Sequence, residues 1–326
     1  MTPPKPIIGS GVWGHFLGED EIRSQLNDAE RLRILHIDSG AHHPYSKPGL
    51  AERLLGEIGY QNQGFTVDSK VLYSNGGDGT LTAEAVEKSI DQTLSSLKTH
   101  KINIYYALAP DRTTPLEEQA AAFDAQYRLG KFSQLGICNF QPDMLEEWIK
   151  IADEKGYIKP TVFQGQYNIL CRGYEADLFP LLRKHGISFN AFGVLAGGML
   201  TGKVTFSNGP DDLKGTRFEV SETNVIGIYG RKWYDKPCFH DAIRRMAELC
   251  DTYSVNITNA GLRWIMNHSR LDGGLGDGVI IGPRNKQQLD QYILGIQGGP
   301  LPKGLVEGLD SIWDKVKGDA VDMLVY

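Results

Sequence analysis

Several short stretches of this 326-residue chain carry residue types at spacings that could do chemistry. Asp38 closes the apolar run Ile34–Ile37 and is followed by Ser39-Gly40-Ala41-His42-His43-Pro44-Tyr45. Lys70 ends Asp68-Ser69-Lys70, inside a second apolar run. A charge at the end of a buried strand is costly unless it is paired. An Asp38–Lys70 ion pair at one end of a sheet or barrel would satisfy both charges and set them beside two imidazoles. The ordinary alternatives are a helix-capping Asp38 and a solvated Lys70. His36 and Asp38 share one strand face, so His36, Asp38, His42 and His43 also have metal-ligating types. No second cluster of such types accompanies them, and no metal is expected. Gly282-Pro283-Arg284-Asn285 precedes a helical pattern around Gln287–Ile293. A helix N-terminus with an adjacent guanidinium suits a phosphate.

Gly9-Ser10-Gly11-Val12-Trp13-Gly14 has G-x-G-x-x-G spacing. The dinucleotide fingerprint needs a helix opening on the last glycine. His15-Phe16-Leu17-Gly18 is a poor helix start, so the stretch reads as a glycine-rich turn after a first strand. No serine-hydrolase elbow, Walker A loop, zinc-protease helix or kinase signature is present.

The elements that must position these residues alternate. Short apolar runs predict strands near Ile7–Ile8, Ile34–Ile37, Val67–Leu72, Ile102–Tyr106, Gln134–Cys138, Thr161–Phe163, Ile187–Phe192 and Val279–Ile281. Amphipathic runs predict helices over Glu19–Arg31, Leu50–Ile58, Leu81–Leu97, Pro115–Arg128, Pro142–Glu154, Ala176–Lys184 and Asp241–Leu249. Alternation of this kind means parallel βαβ units. Roughly eight strands with no linker fit a closed (β/α)8 TIM barrel in one domain over 1–326, or an open doubly wound sheet. A long irregular loop is expected at about 205–230, as a lid or binding loop. A helical segment is expected at about 300–326.

Composition narrows the classes further. Hydrophobic residues are 41% and charged residues 23%, as in soluble globular proteins. Net charge is −6, which argues against a general nucleic-acid binder. No apolar run is long enough for a membrane span. The opening Met-Thr-Pro-Pro-Lys-Pro lacks the apolar core of a secretory leader. The scattered Cys138, Cys171, Cys238 and Cys250 fit neither a zinc motif nor a disulfide framework, so a cytoplasmic protein is expected.

From about Pro6 to Val316 the chain resembles the aldo-keto reductases, and most closely the aflatoxin-aldehyde reductase branch and its fungal relatives. The resemblance is carried by Ile37-Asp38, Ser69-Lys70-Val71, Tyr106 to Asp111, Gly136-Ile137-Cys138-Asn139-Phe140 and Phe163 to Asn168. Leu195 to Lys203 and Leu262-Arg263-Trp264 extend it. It implies a (β/α)8 barrel that binds NADP(H) without a Rossmann fold and reduces a small-molecule carbonyl. It implies catalytic roles for Asp38 and Lys70. The family places its general-acid Tyr five residues after that Asp, where this chain has His43, and Tyr45 lies two further on; both stay candidates. The family's carbonyl-orienting His is Leu108 here. Cofactor contacts are implied for Cys138, Asn139, Gln164, Phe192, Gly193, Leu195, Gly197, Lys203, Arg217, Gly282, Arg284, Asn285 and Gln288. Trp13, His42, Leu108 and Trp233, with Tyr45 and the loop Ser221–Tyr234, are candidates for lining the substrate site. Three functions compete: an NADPH-dependent carbonyl reductase with a rebuilt site, in fungal secondary metabolism by analogy; a non-redox dehydratase, isomerase or cyclase using His42 and His43 with a structural NADP; and a cofactor-binding protein without catalysis. The branch contains dimers and other branches are monomeric, so a homodimer is one of two expectations.

Overall fold

The computed structural model describes residues 2–219 and 225–324. Its eight strands are β1 Lys5–Gly9, β2 His36–Asp38, β3 Thr66–Lys70, β4 Ile102–Ala107, β5 Phe132–Cys138, β6 Pro160–Gln166, β7 Ser188–Phe192 and β8 Gly278–Ile281. All pair in parallel in sequence order, and β8 returns to β1, so the sheet is a closed barrel. The open-sheet alternative is thereby excluded.

Helices cover the outside: α1 Glu19–Arg31, α2 Leu50–Ile58, α3 Ala83–Leu97, α4 Leu116–Arg128, α5 Pro142–Lys155, α6 Leu178–Lys184, α7 Val225–Tyr234, α8 Pro237–Thr252, α9 Ile257–Asn267, α10 Lys286–Gln297 and α11 Lys303–Val316. Their apolar stripes pack on the outward faces of the strands; Ile22, Leu26 and Ala29 of α1 and Val86, Ile90 and Leu97 of α3 are fully buried this way. Side-chain caps start several of them. Thr82 accepts from Ala85 N–H at 3.2 Å, and Asn256 accepts from Thr258 N–H at 2.9 Å.

Strand alternation sorts neighbours to opposite sides. Tyr105 lies in the outer core with Phe123 and Phe132, whereas Tyr106 lies in an inner cluster with Ile104, Cys138 and Val162. Gly136, paired with Tyr106 across β4 and β5, must be glycine, because a Cβ there would overlap the Tyr106 ring.

Gly9 ends β1 and the rest of the glycine-rich stretch to Gly14 is a turn, as expected: no helix opens until Glu19, and Gly14 has φ of 76°. The irregular stretch expected at about 205–230 is shorter than expected, since Pro210–Leu213 forms one 3-10 turn and α7 begins at Val225. Residues 220–224 lie outside the described ones. No helix among the described residues is long and apolar enough to cross a membrane.

Candidate active site

The C-terminal ends of the strands form one mouth of the barrel, where side chains from different strands converge. β2 delivers Asp38 and β3 delivers Lys70, whose Nζ donates to Asp38 Oδ1 at 2.6 Å and to the Ser39 carbonyl at 2.7 Å. Both side chains are almost wholly buried. β6 adds Gln164, whose Nε2 donates to the same Asp38 oxygen at 2.8 Å. The charge problem that singled out Asp38 and Lys70 is thus solved by pairing them. Beneath the ammonium lies the Tyr106 ring, 5.4 Å from centroid to Nζ, and the Tyr106 hydroxyl accepts from Asn190 at 2.9 Å. Sequence reasoning missed Tyr106 and Asn190, since an inward-facing strand residue gives no local signal of its partner.

The backbone continues the ladder past the strand ends. Ser39 N–H donates to the Asp68 carbonyl and Ala41 N–H to the Lys70 carbonyl, which pins the loop after β2 over the pair. That loop carries His42 and His43 in edge contact, ring centroids 4.4 Å apart. His43 Nδ1 lies 3.4 Å from Ser10 Oγ, at the limit of a hydrogen bond, and its Nε2 edge faces Gly11. Burial holds both imidazoles below their ordinary pKa, His42 at about 3 and His43 well below 6.5. The Lys70 charge adds to this at both rings, and at His43 the Arg217 charge adds as well. Both rings are therefore neutral at pH 7. Tyr45 is 52% exposed, with its ring 4.9 Å from that of His42.

The positions implied for a dinucleotide lie around the same mouth. Asn139, just past β5, has φ of 60° and donates from Nδ2 to the Leu108 carbonyl at 2.8 Å. Its Oδ1 is buried and has no partner, so it fits a bound amide N–H. Cys138 is buried at the end of β5, and burial raises its thiol pKa, so it stays protonated. Phe192 ends β7 half-buried, and Gly193 follows with φ of 65°. The turn Ala196–Thr201 after Leu195 includes Gly197 and Gly198, with φ of 67° and 113°, which leaves the backbone bare of Cβ atoms. Arg217 lies beside Gly282, with Nη2 3.7 Å from where a Cβ would sit. Burial lowers the pKa of both Arg217 and Arg284, and the charge of Arg217 lowers that of Arg284 further. Two cations crowded together in this way fit an anion such as a phosphate. Arg284 packs over the Phe16 ring and donates from Nη1 to the Gly215 carbonyl.

Asn285 caps α10, accepting from Gln288 N–H at 2.8 Å, and Gln288 Oε1 accepts from Arg284 N–H at 2.9 Å. Each amide oxygen thus already holds one backbone N–H, and each NH2 is left to offer a phosphate. Lys203 is exposed on the loop after that turn.

The substrate-lining candidates divide. Leu108 follows β4 and packs on the inner cluster. Trp233, on α7, is half-buried against the outer core. Trp13 corrects the expectation: it is fully buried, and its indole N–H donates to Gln25 Oε1 at 2.9 Å, so it belongs to the core between the first turn and α1. Residues 221–224 of the expected lining loop lie outside the described residues. His36 is drawn away from any metal set by Asp68, at 2.7 Å, and no metal-holding group of three or more His, Cys, Asp or Glu occurs among the described residues.

The model of the aldo/keto reductase family matches residues 8–314. The chain is 35% identical over 272 residues to oxidoreductase sirO of Leptosphaeria maculans, covering 83% of this chain and 80% of that protein. It is 31% identical over 321 residues to aflatoxin B1 aldehyde reductase member 2 of Homo sapiens, covering 96% and 89%. It is 28% identical over 325 residues to aldo-keto reductase pigE of Monascus ruber, covering 95% and 94%.

Proposed function

The chain belongs to the aldo/keto reductase family, and from that premise we propose that it is an NADPH-dependent reductase of a small-molecule aldehyde or ketone, working at the barrel mouth around Asp38 and Lys70. The observation that carries the proposal is the buried Asp38–Lys70 pair, with Gln164 on the same carboxylate oxygen and two neutral imidazoles above it. NADP(H), the dinucleotide the family generally uses, supplies a hydride from C4 of its nicotinamide when bound.

Asn139 and Gln164 would hold the carboxamide of that ring, and Phe192 would stack on its face. Gly193, Leu195 and Gly197 would line the pyrophosphate. Arg217 and Arg284, with Gly282, Lys203 and the amide nitrogens of Asn285 and Gln288, would take the phosphate of the adenosine end.

His43 rather than Tyr45 holds the proton for the substrate oxygen. His43 is half-buried and lies within the fields of Lys70 and Arg217, while Tyr45 is exposed to solvent. Positive neighbours disfavour the imidazolium, and by the same sign they make the neutral ring N–H a better donor. The neutral ring N–H would hydrogen-bond the carbonyl oxygen and give it a proton as negative charge develops there, leaving an imidazolate that takes its proton back from solvent. Lys70, fixed by two acceptors, stabilises the negative oxygen electrostatically.

The contact between the two imidazoles also favours the second reading, in which His42 and His43 shuttle protons in a dehydration or isomerisation with a structural NADP. The names of the fungal relatives, an oxidoreductase and an aldo-keto reductase, support the redox reading. The four cysteines are free thiols, which agrees with a cytoplasmic location.

Steady-state loss of NADPH absorbance across a panel of aldehydes and ketones tests the proposal. Turnover by the wild type and by Tyr45→Phe, with a loss of about 100-fold or more in His43→Leu, supports it. NADPH binding without oxidation by any carbonyl overturns it, and turnover of a substrate with the cofactor unchanged transfers the function to the second reading.

A further inference from the structure

His42 is 4% exposed and its Nδ1 is sealed from solvent with no hydrogen-bond partner. The Nδ1–Cε1 edge faces the backbone of Gly40, where a Cβ would stand 3.0 Å from Cε1 and 3.2 Å from Nδ1. The ring is pinned by His43 at 4.4 Å and Tyr45 at 4.9 Å.

A neutral imidazole carries one N–H and one acceptor nitrogen. A buried N–H without a partner is the rarer and costlier orphan. Nδ1 is therefore the bare acceptor, and the proton sits on Nε2. Nε2 is not among the sealed polar atoms and has no protein partner among the described residues. Near the Asp38–Lys70 pair, the Gln164 amide is already donated to Asp38, and Leu108 has no donor in its side chain.

We propose that His42 Nε2–H is a hydrogen-bond donor to the carbonyl oxygen of the substrate, and that the substrate is an uncharged aryl aldehyde or ketone. The aryl preference rests on the surface around that donor. Tyr45, 52% exposed, leans on the His42 ring at 4.9 Å, so an aromatic face flanks the donor. An uncharged body suits a mouth where Asp38 already balances Lys70.

This inference rests on the carbonyl-reductase reading and adds to it a donor distinct from His43. Two amide substitutions separate its terms. In His42→Gln the amide reaches the place of Nε2; in His42→Asn it reaches only the place of Nδ1, against Gly40. With 4-nitrobenzaldehyde as the probe and the full-length protein, His42→Gln is expected to keep kcat/KM within about tenfold of wild type, and His42→Asn and His42→Leu to lose about 100-fold. NADPH affinity, read by fluorescence titration, is expected to stay within about threefold in each variant, which certifies the fold and the cofactor site. His42→Leu within about threefold of wild type, or His42→Gln as poor as His42→Asn, overturns the inference alone. A wild-type protein that leaves NADPH unoxidised with every carbonyl overturns the reading beneath it.

Discussion

Replacing Lys70 by Met removes one member of a buried ion pair and leaves the other in place. Asp38 would then sit almost fully buried with a single donor, Gln164 Nε2 at 2.8 Å, where it now has two. Breaking a buried pair from one side costs about 3–5 kcal/mol. The remaining charged hydrogen bond keeps about 1.5–3 kcal/mol of interaction with the carboxylate, which places the loss toward the lower end of that range. A carboxylate stranded in this way has a raised folded-state pKa, so the folded protein binds more protons than the unfolded chain over the interval between the two values. The deficit is therefore full at neutral pH and shrinks as pH falls. Loss of Lys70 also lifts the lowering it imposes on His42 and His43, so their acid charging weakens the variant less than wild type and shrinks the deficit further as pH falls. Urea unfolding of wild type, Asp38→Asn, Lys70→Met and the double variant, at about pH 7 and about pH 5, reads the whole cycle. The double variant should recover most of the loss, because both charges leave together. Lys70→Met unfolding within about 1 kcal/mol of wild type at neutral pH, with no recovery in the double variant, would refute the buried pair.

Glu52 of α2 is buried, accepts from Ser69 Oγ at 2.5 Å and Thr93 Oγ1 at 3.2 Å, and is pushed up by desolvation to about 7. Its folded-state pKa is raised, so its contribution to stability falls between about 4.5 and 7 and the penalty is full above that. Glu52→Gln should gain about 2–3 kcal/mol over wild type at pH 8 and little at pH 4, read by denaturant midpoints. For His42 the sign is opposite: with a folded-state pKa of about 3, its contribution is full above 6.5 and is lost as pH falls, so His42→Gln should flatten the acid limb of wild-type stability. Trp13→Phe strands Gln25 Oε1 and leaves a void, and should cost about 2–3 kcal/mol while leaving kcat/KM within about threefold. Leu108→His places a donor on the segment after β4 and should raise kcat/KM with an aryl aldehyde by about tenfold; an unchanged rate would remove Leu108 from the substrate site.

The barrel and the ion pair were legible because burial makes charge conspicuous. Asp38 and Lys70 each end a run that must be buried on both faces, and each needs the other. Helices α1 and α2 occupy Glu19–Arg31 and Leu50–Ile58 as their periodicity predicts, since each turns one stripe to the core, with Gln25 and Glu52 as the buried polar members. Helix α9 was not legible. Ile257–Asn267 mixes Thr, Asn and Gly261 with apolar residues on several faces, and it is helical because Leu262, Trp264, Ile265 and Met266 are buried in the core, with tertiary packing overriding propensity. Trp13 misled for a related reason. An aromatic residue in a turn after a strand looks like a rim residue, and only the fold brings Gln25 to its indole. The difference between His42 and His43 was invisible in sequence, because two adjacent imidazoles differ only in what each ring edge meets: Gly40 in one case, Ser10 and Gly11 in the other.

Isotope transfer tests most directly whether this mouth carries hydride to a carbonyl. The protein is incubated with 4-nitrobenzaldehyde and NADPH carrying deuterium at both C4 positions of the nicotinamide, and the alcohol formed is weighed by mass spectrometry. The expected product bears a single deuterium on its carbinol carbon for each NADPH consumed, and His43→Leu forms far less of it. Product without deuterium, or intact aldehyde beside intact NADPH, would contradict hydride transfer at Asp38 and Lys70.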